Sequence, residues 1–286
     1  MTVLVLRALG IGDLATAVPA LRGIRAAWPG QRLALAAPAW LAQLVPLIGA
    51  VDELAVTPGL TRSPLVTVPD VAVNLHGRGP QSHRLLARLR PKRTLGFNLP
   101  CGPKWRDDEH EVRRWCRMLE WYGIEADPSD LALHKPKSPP PVSGATVLHV
   151  GAKSPERRWS RFAALAEALP PEHRVVLTGN RAERAIADGA DGLNLAGKLD
   201  LEQLAALICA ARLVVSGDTG VAHLATAFGV PSVVLFGPMS PALWGPPPLP
   251  RHQVLWDPET LSVDSITVAD VLAACDRALT TASAPT

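Results

Sequence analysis

Three short glycine-bearing segments hold residue types that chemistry needs. The first is Arg7-Ala-Leu-Gly-Ile-Gly-Asp13, directly after an apolar run. Gly10 and Gly12 let the backbone turn tightly and approach a ligand, and Asp13 places a carboxylate where a helix opens. Read locally, Asp13 is first of all a helix cap, a role aspartate fills well; the alternative is a carboxylate presented for chemistry. A dinucleotide-binding fingerprint needs a third glycine where Ala15 stands, so that chemistry is poorly supported.

The second segment, Gly151-Ala-Lys-Ser-Pro-Glu-Arg-Arg-Trp159, brings Lys153, Arg157 and Arg158 into one loop. Such a loop neutralises a diphosphate, with a forked guanidinium gripping two oxygens; equally, it reads as a charged surface loop with Trp159 folded over it. The third segment is Ser216-Gly-Asp-Thr-Gly-Val-Ala-His223. Gly217 and Gly220 keep side chains away, so the amides of a helix's first turn can face a phosphate. Thr219 adds a hydroxyl, and His223 follows one turn later on a nearby face. Asp218 would be repelled by a diphosphate, so it caps the helix or binds sugar hydroxyls. Asp-Thr-Gly also occurs in aspartic proteases, but those need two such carboxylates sharing a proton in an all-β frame; a single copy followed by a helix excludes them. His76 reads as a structural histidine bonded to a loop, and as a lesser candidate for the site. His110, His134 and His173 stand apart, with no metal-ligand spacing.

These loops need elements to hold them. In the first half, apolar runs at 3–6, 33–36, 54–56 and 71–75 read as strands, separated by helical patterns at 14–27, 39–48, 82–89 and 112–122. Continuous apolar strands of this kind suit a parallel sheet covered on both faces. A Pro-rich stretch, 137–144, then reads as a stiff linker. After it, strands at 147–150, 175–177, 193–195, 213–215 and 232–236 alternate with helices at 161–169, 181–188, 201–211 and 221–228. A final helix at 265–279 carries Val268, Val271, Leu272, Cys275 and Leu279 on one stripe. The expectation is an α/β protein of two Rossmann-like domains facing a central cleft: 1–136, and 145–264 after the linker. The 265–286 segment is a helix with the option of packing back on the first domain. Ligands in such folds bind where strands end at their carboxyl termini.

Composition narrows the classes. The chain has 286 residues, nearly half of them apolar, and a formal net charge of +3, which gives no argument for nucleic acid. Between Asp70 and Asp107 there is no acid, while Arg78, Arg84, Arg88, Arg90, Lys92 and Arg93 all fall there. That stretch is a solvated face, or it meets an anionic acceptor or a membrane surface. Four cysteines without pairing pattern read as reduced thiols of a cytoplasmic protein. Arg7 and Asp13 interrupt the apolar start and no basic segment precedes it, so neither signal peptide nor membrane span is expected.

Taken in order, the opening segment with Pro19-Ala-Leu-Arg22, Asn74-Leu-His-Gly77, the Gly151 to Trp159 loop, Leu177-Thr-Gly179, Leu195-Ala-Gly197 and Ser216 through Phe236-Gly-Pro238 resemble the bacterial heptosyltransferases of glycosyltransferase family 9. The resemblance implies a GT-B fold, a nucleotide-sugar donor of the ADP-heptose kind, and transfer with inversion, needing neither metal nor cofactor. By matching motif it implies Asp13 as general base and Arg157 where the family usually carries a phosphate-binding lysine. It places Thr219, Gly220 and His223 at the diphosphate and sugar, Asp218 at sugar hydroxyls, and Glu183 and Leu199 more weakly at the donor ribose and adenine. The acceptor it implies is a sugar or lipid-linked molecule of the lipopolysaccharide core, with a small-molecule acceptor open as well and peripheral contact at the membrane's inner face. Two other classes stay open: a nucleotide-sugar hydrolase or epimerase, and a catalytically silent partner protein of the same fold.

Overall fold

The computed structural model describes residues 1–64 and 66–282. The chain divides into two compact units, Met1–His134 and Lys135–Thr286. In the first unit, the order is β1 (Thr2–Leu6), α1 (Ile11–Thr16), α2 (Val18–Ala27), β2 (Arg32–Ala37), α3 (Val45–Ile48), β3 (Glu53–Val56), β4 (Val71–Asn74), α4 (Gln81–Ala87), β5 (Arg93–Leu95) and α5 (Glu111–Trp121). All five strands are parallel, in the order β3-β2-β1-β4-β5. β1 is buried from Val3 to Leu6, as a central strand covered on both faces must be. Leu4 and Leu6 share one core cluster with Ala34, Ala36, Ala72, Leu85 and Leu86. The chain winds outward from β1 to β3, then returns to lay β4 on the other side of β1. The switch point of this sheet therefore lies between β1 and β4, where a crevice opens at the carboxyl ends.

The second unit repeats the logic. Its elements are β6 (Thr146–His149), α6 (Phe162–Ala168), β7 (Val175–Thr178), α7 (Arg184–Asp188), β8 (Leu193–Asn194), α8 (Leu201–Cys209), β9 (Leu213–Gly217), α9 (Gly220–Ala227), β10 (Ser232–Leu235), α10 (Pro241–Trp244), β11 (His252–Leu255) and α11 (Val268–Ala282). The parallel order β11-β10-β9-β6-β7-β8 puts the switch point between β6 and β9. Its core joins Leu148, Val150, Leu177, Val215 and Leu235 of the strands and their extensions to Phe162 and Leu165 of α6. Val271, Ala274, Cys275 and Ala278 of α11 lie in that same core, so the described part of the last helix completes the second unit's own interior. The Pro-rich stretch also belongs to this unit. Ser138 N–H donates to Glu202 Oε1 (3.3 Å), and Gly144 N–H to the carbonyl of Ala210 (2.8 Å).

Several elements differ from the pattern-based expectation. The helix expected over 14–27 is two helices broken at Ala17, because Pro19 cannot donate back along the turn and its ring displaces the carbonyl four residues earlier. The stretch 39–48 is a 3₁₀ turn followed by α3, again with a proline, Pro46, in its first turn. The helix expected over 181–188 starts as a 3₁₀ turn, Arg181–Glu183. β5 and β11 carry no apolar run; both are edge strands, paired on one side only and partly exposed, so their sequences need little hydrophobicity. No described helix is long and apolar enough to cross a membrane.

Candidate active site

In the first unit, the loops after β1 and β4 meet at the switch point. Asp13 lies in the first turn of α1 but is not its cap residue: Gly10 holds that position. Asp13 Oδ2 reaches back to accept from Gly10 N–H at 3.0 Å, so it satisfies a free amide from inside the helix. A Cβ on residue 10 would lie 3.3 Å from that oxygen. Gly12 lies between them, its carbonyl accepting from Thr16 Oγ1 at 2.9 Å. The other Asp13 oxygen, Oδ1, lies 3.5 Å from Arg7 Nη2, and the carboxylate keeps more than a quarter of its surface exposed.

Arg7 is the residue the local pattern did not single out. Its side chain is fully buried and forks across three segments. Nε donates to the Asp13 carbonyl (2.9 Å), Nη1 to the Leu75 carbonyl (2.6 Å) and Nη2 to Glu111 Oε1 (2.8 Å). Glu111, at the start of α5, also accepts from Trp115 Nε1 (2.8 Å) and from Arg114. Burial opposes the Glu111 charge, but Arg7 and Arg114 outweigh it and hold the carboxyl below its usual range. His76 follows β4: its Nδ1 accepts from Ala8 N–H at 3.2 Å, which leaves the neutral ring's proton on Nε2. Burial and then Arg7 push His76 below the usual histidine range, against a smaller pull from Asp13.

In the second unit, the loops after β6 and β9 meet. Arg157 ends a 3₁₀ turn, Pro155–Arg157, and its Nη1 lies 3.4 Å from Asp218 Oδ2. Burial pushes the Asp218 carboxyl up and Arg157 draws it partly back. Gly217 and Gly237 explain how the turn comes so close: a Cβ at either would sit 3.1 or 3.2 Å from the backbone oxygens of Arg157 and Glu156. Thr219 is the N-cap of α9, yet its hydroxyl caps nothing. Thr219 Oγ1, Ser216 Oγ and Arg158 Nε are buried without a hydrogen-bond partner in the protein. Beside the first-turn amides of α9, the unpartnered Thr219 hydroxyl is suited to an anion. His223, one turn on, is half-buried against Trp244, ring centroids 5.9 Å apart. Lys153 is exposed in the same loop, and no described contact ties it to the others.

Glu183 is buried and serves both neighbouring loops. Oε1 accepts from Ala152 N–H (3.1 Å), Oε2 from Asn180 N–H (2.7 Å), and Arg158 Nη2 stands 3.8 Å away. Its carboxylate thus braces the loops after β6 and β7. A Cβ at Gly151 would meet it at 2.6 Å. Beside it, burial pushes His149 down to about 4, with Glu183 pulling the other way. Leu199 is half-buried between β8 and α8, after a turn in which Gly197 (φ +69°) lies against Arg181. In the basic stretch, Lys92 pairs with Asp70 and Arg78 with Asp107, and Arg93 lies over Tyr122; Arg84, Arg88 and Arg90 are exposed. Among the described residues, no three His, Cys, Asp or Glu side chains cluster to hold a metal ion.

The family profile of glycosyltransferase family 9 (heptosyltransferase) matches residues 104–262, more than half of the chain. The lipooligosaccharide heptosyltransferase 2 of Haemophilus ducreyi is 36% identical over 116 residues, 35% of this chain and 33% of that protein. The aligned segment therefore spans about a third of that relative. Among solved structures, the E. coli ADP-heptose LPS heptosyltransferase II aligns with a TM-score of 0.81 at 23% identity, over 99% of this chain and 100% of the other. A family 9 glycosyl transferase from Veillonella parvula aligns at 0.80 with 20% identity, over 98% and 97%. These alignments give the fold, GT-B. Fold and profile agree: the chain belongs to glycosyltransferase family 9, the heptosyltransferase family.

Proposed function

We propose that this protein moves a heptose-like sugar from a nucleoside diphosphate donor of the ADP-heptose kind to an acceptor hydroxyl, with inversion and with protein cations in the place of a metal. The observation that carries the reading is the cluster at the second switch point. There, the open N-terminus of α9, the unpartnered Thr219 hydroxyl and the Arg157 guanidinium converge. An uncapped helix start beside a guanidinium favours a diphosphate. Family membership supports the sugar and nucleotide class.

In this mechanism, Arg157 and Lys153 stabilise the charge that grows on the leaving diphosphate as the bond to the anomeric carbon breaks. Asp218, turned toward Arg157, holds that guanidinium and meets sugar hydroxyls. The acceptor oxygen forms the new bond from the opposite face, and Asp13 takes its proton as general base, a contribution of about 10²–10⁴-fold. Leu199 bounds the adenine end of the donor, and Glu183 holds the loops that frame the ribose. A lipopolysaccharide-core acceptor, phosphorylated or carrying carboxylates, fits the exposed Arg84, Arg88 and Arg90, and a membrane surface bearing such a substrate would meet the same charges.

The test is calorimetric titration with ADP, UDP, GDP and ADP-heptose, with and without a chelator, alongside transfer assays on heptose-deficient lipopolysaccharide. ADP and ADP-heptose should bind with equal affinity in chelator, and Arg157→Ala should weaken them about ten- to hundredfold. Asp13→Asn should keep donor affinity and lose at least about 10²-fold in turnover. Preference for UDP or GDP overturns the donor. Free sugar released without acceptor makes the protein a hydrolase, and normal turnover by Asp13→Asn removes Asp13 from the chemistry.

A further inference from the structure

Glu111 belongs to none of the loop segments singled out in the sequence, yet it is one of the most heavily bonded carboxylates in the first unit. It is 4% exposed, and both oxygens are engaged: Oε1 by Arg7 Nη2 and Trp115 Nε1, Oε2 by Arg114. The Arg7 guanidinium lies over the Trp115 ring, 4.9 Å from Cζ to centroid. The guanidinium is thus clamped between the indole and the carboxylate. It has two anions to choose between. At Nη2 it makes a full-strength contact of 2.8 Å to Glu111 and only a marginal one of 3.5 Å to Asp13. A guanidinium that closed fully on Asp13 would stabilise its charged form and weaken it as a base.

We propose that Glu111 is a positioning residue for Asp13. By holding the outer edge of Arg7, it lets Arg7 orient α1 through the Asp13 carbonyl while keeping its contact with the Asp13 carboxylate marginal, so that Oδ1 stays available to a proton. The same fork reaches the Leu75 carbonyl, so the loop carrying His76 is set by the same clamp. The groups facing Asp13 are Arg7 at the end of β1, the Gly10 amide at the start of α1, and His76 after β4; Glu111 and Arg114 of α5 act through Arg7. Loss of the Glu111 charge acts in one direction by two routes. It removes a nearby anion, and it frees Arg7 to close on Asp13.

This inference rests on Asp13 being the base, so its test includes a measurement that needs no acceptor. In the full-length protein, the Asp13 carboxyl carbon is followed by NMR through a pH titration, assigned by its loss in Asp13→Asn. In Glu111→Gln, Asp13 should titrate about 1 pH unit lower than in the wild type. An unchanged or higher midpoint overturns the proposal. Should Glu111→Gln not fold, Glu111→Asp keeps the charge but withdraws it by one methylene, and a smaller displacement in the same direction is expected; none overturns it. Where the wild type transfers heptose, Glu111→Gln should lower kcat about three- to tenfold at unchanged donor KM, and cost nothing further in an Asp13→Asn background. An additional loss there makes Glu111 merely structural. A wild type that transfers nothing counts against the proposed function, and the titration still decides the role of Glu111.

Discussion

A hydroxyl that is buried and bonded to nothing within its own protein is expensive to keep. Thr219 occupies the N-cap of α9, where a threonine oxygen ordinarily accepts from the first turn; here it does not, and it is buried without a partner. Replacing it with valine, nearly the same shape, leaves no unsatisfied group behind. Thr219→Val should therefore change stability by no more than about 0.5 kcal/mol while weakening ADP about tenfold. Thermal unfolding and calorimetry on one preparation check both. A lowered Tm with unchanged ADP affinity would make the hydroxyl a structural one. Legibility at this scale was uneven. Asp13, Asp218 and Thr219 stood out because each sits beside a glycine in a loop after a strand, and Arg157 because its loop gathers three cations. Arg7 and Glu111 did not, since their contact joins residues 104 apart in the chain, and Glu111 stands in a run of acids and arginines that otherwise reads as a solvated surface.

Elements are placed by what their ends allow. The 3₁₀ turn that bears Arg157 approaches the ends of β9 and β10 because Gly217 and Gly237 offer no side chain there. A methyl at residue 217 would sit 3.1 Å from the Arg157 carbonyl, so the turn must give by a few tenths of an ångström. Gly217→Ala should weaken ADP several-fold, at a stability cost of about 1 kcal/mol. Unchanged affinity would show that the turn has slack. Central strands such as β1 and β9 were readable as apolar runs, and the alternation of strand and helix carried the parallel topology. The breaks at Ala17 and within 39–48 follow from prolines whose effect on helix geometry is local, yet an apolar periodicity runs straight through them. β5 and β11 were illegible for the opposite reason: Arg93-Thr-Leu95 and His252-Gln-Val-Leu255 carry no apolar run, and as edge strands they are held by a neighbour's open hydrogen bonds, whereas the edge strands β3 and β8 kept enough apolar residues to be read.

A buried histidine also gives the second unit a response to acid. His252 begins β11, 6% exposed, with Nδ1 bonded to Ser232 Oγ at 2.9 Å and Nε2 unpartnered. Burial, then Arg251, pushes its imidazole from the usual 6.5 down to about 4. The unfolded chain therefore binds more protons than the folded one between those values. The contribution is complete above about 6.5 and is lost as pH falls through about 4, amounting to about 3 kcal/mol. Urea unfolding should show stability falling from pH 7 to pH 4.5, and His252→Gln should flatten that slope. A slope unchanged in the variant would assign it elsewhere. Across the whole chain, both switch points lie where the winding of a sheet reverses, one between β1 and β4, the other between β6 and β9. On the proposed assignment, proton removal belongs to the first and nucleotide retention to the second. Heredity can then edit them separately. Changes in what is glycosylated can accumulate before residue 135 and changes in which nucleotide is spent after it, without either set passing through the other's core.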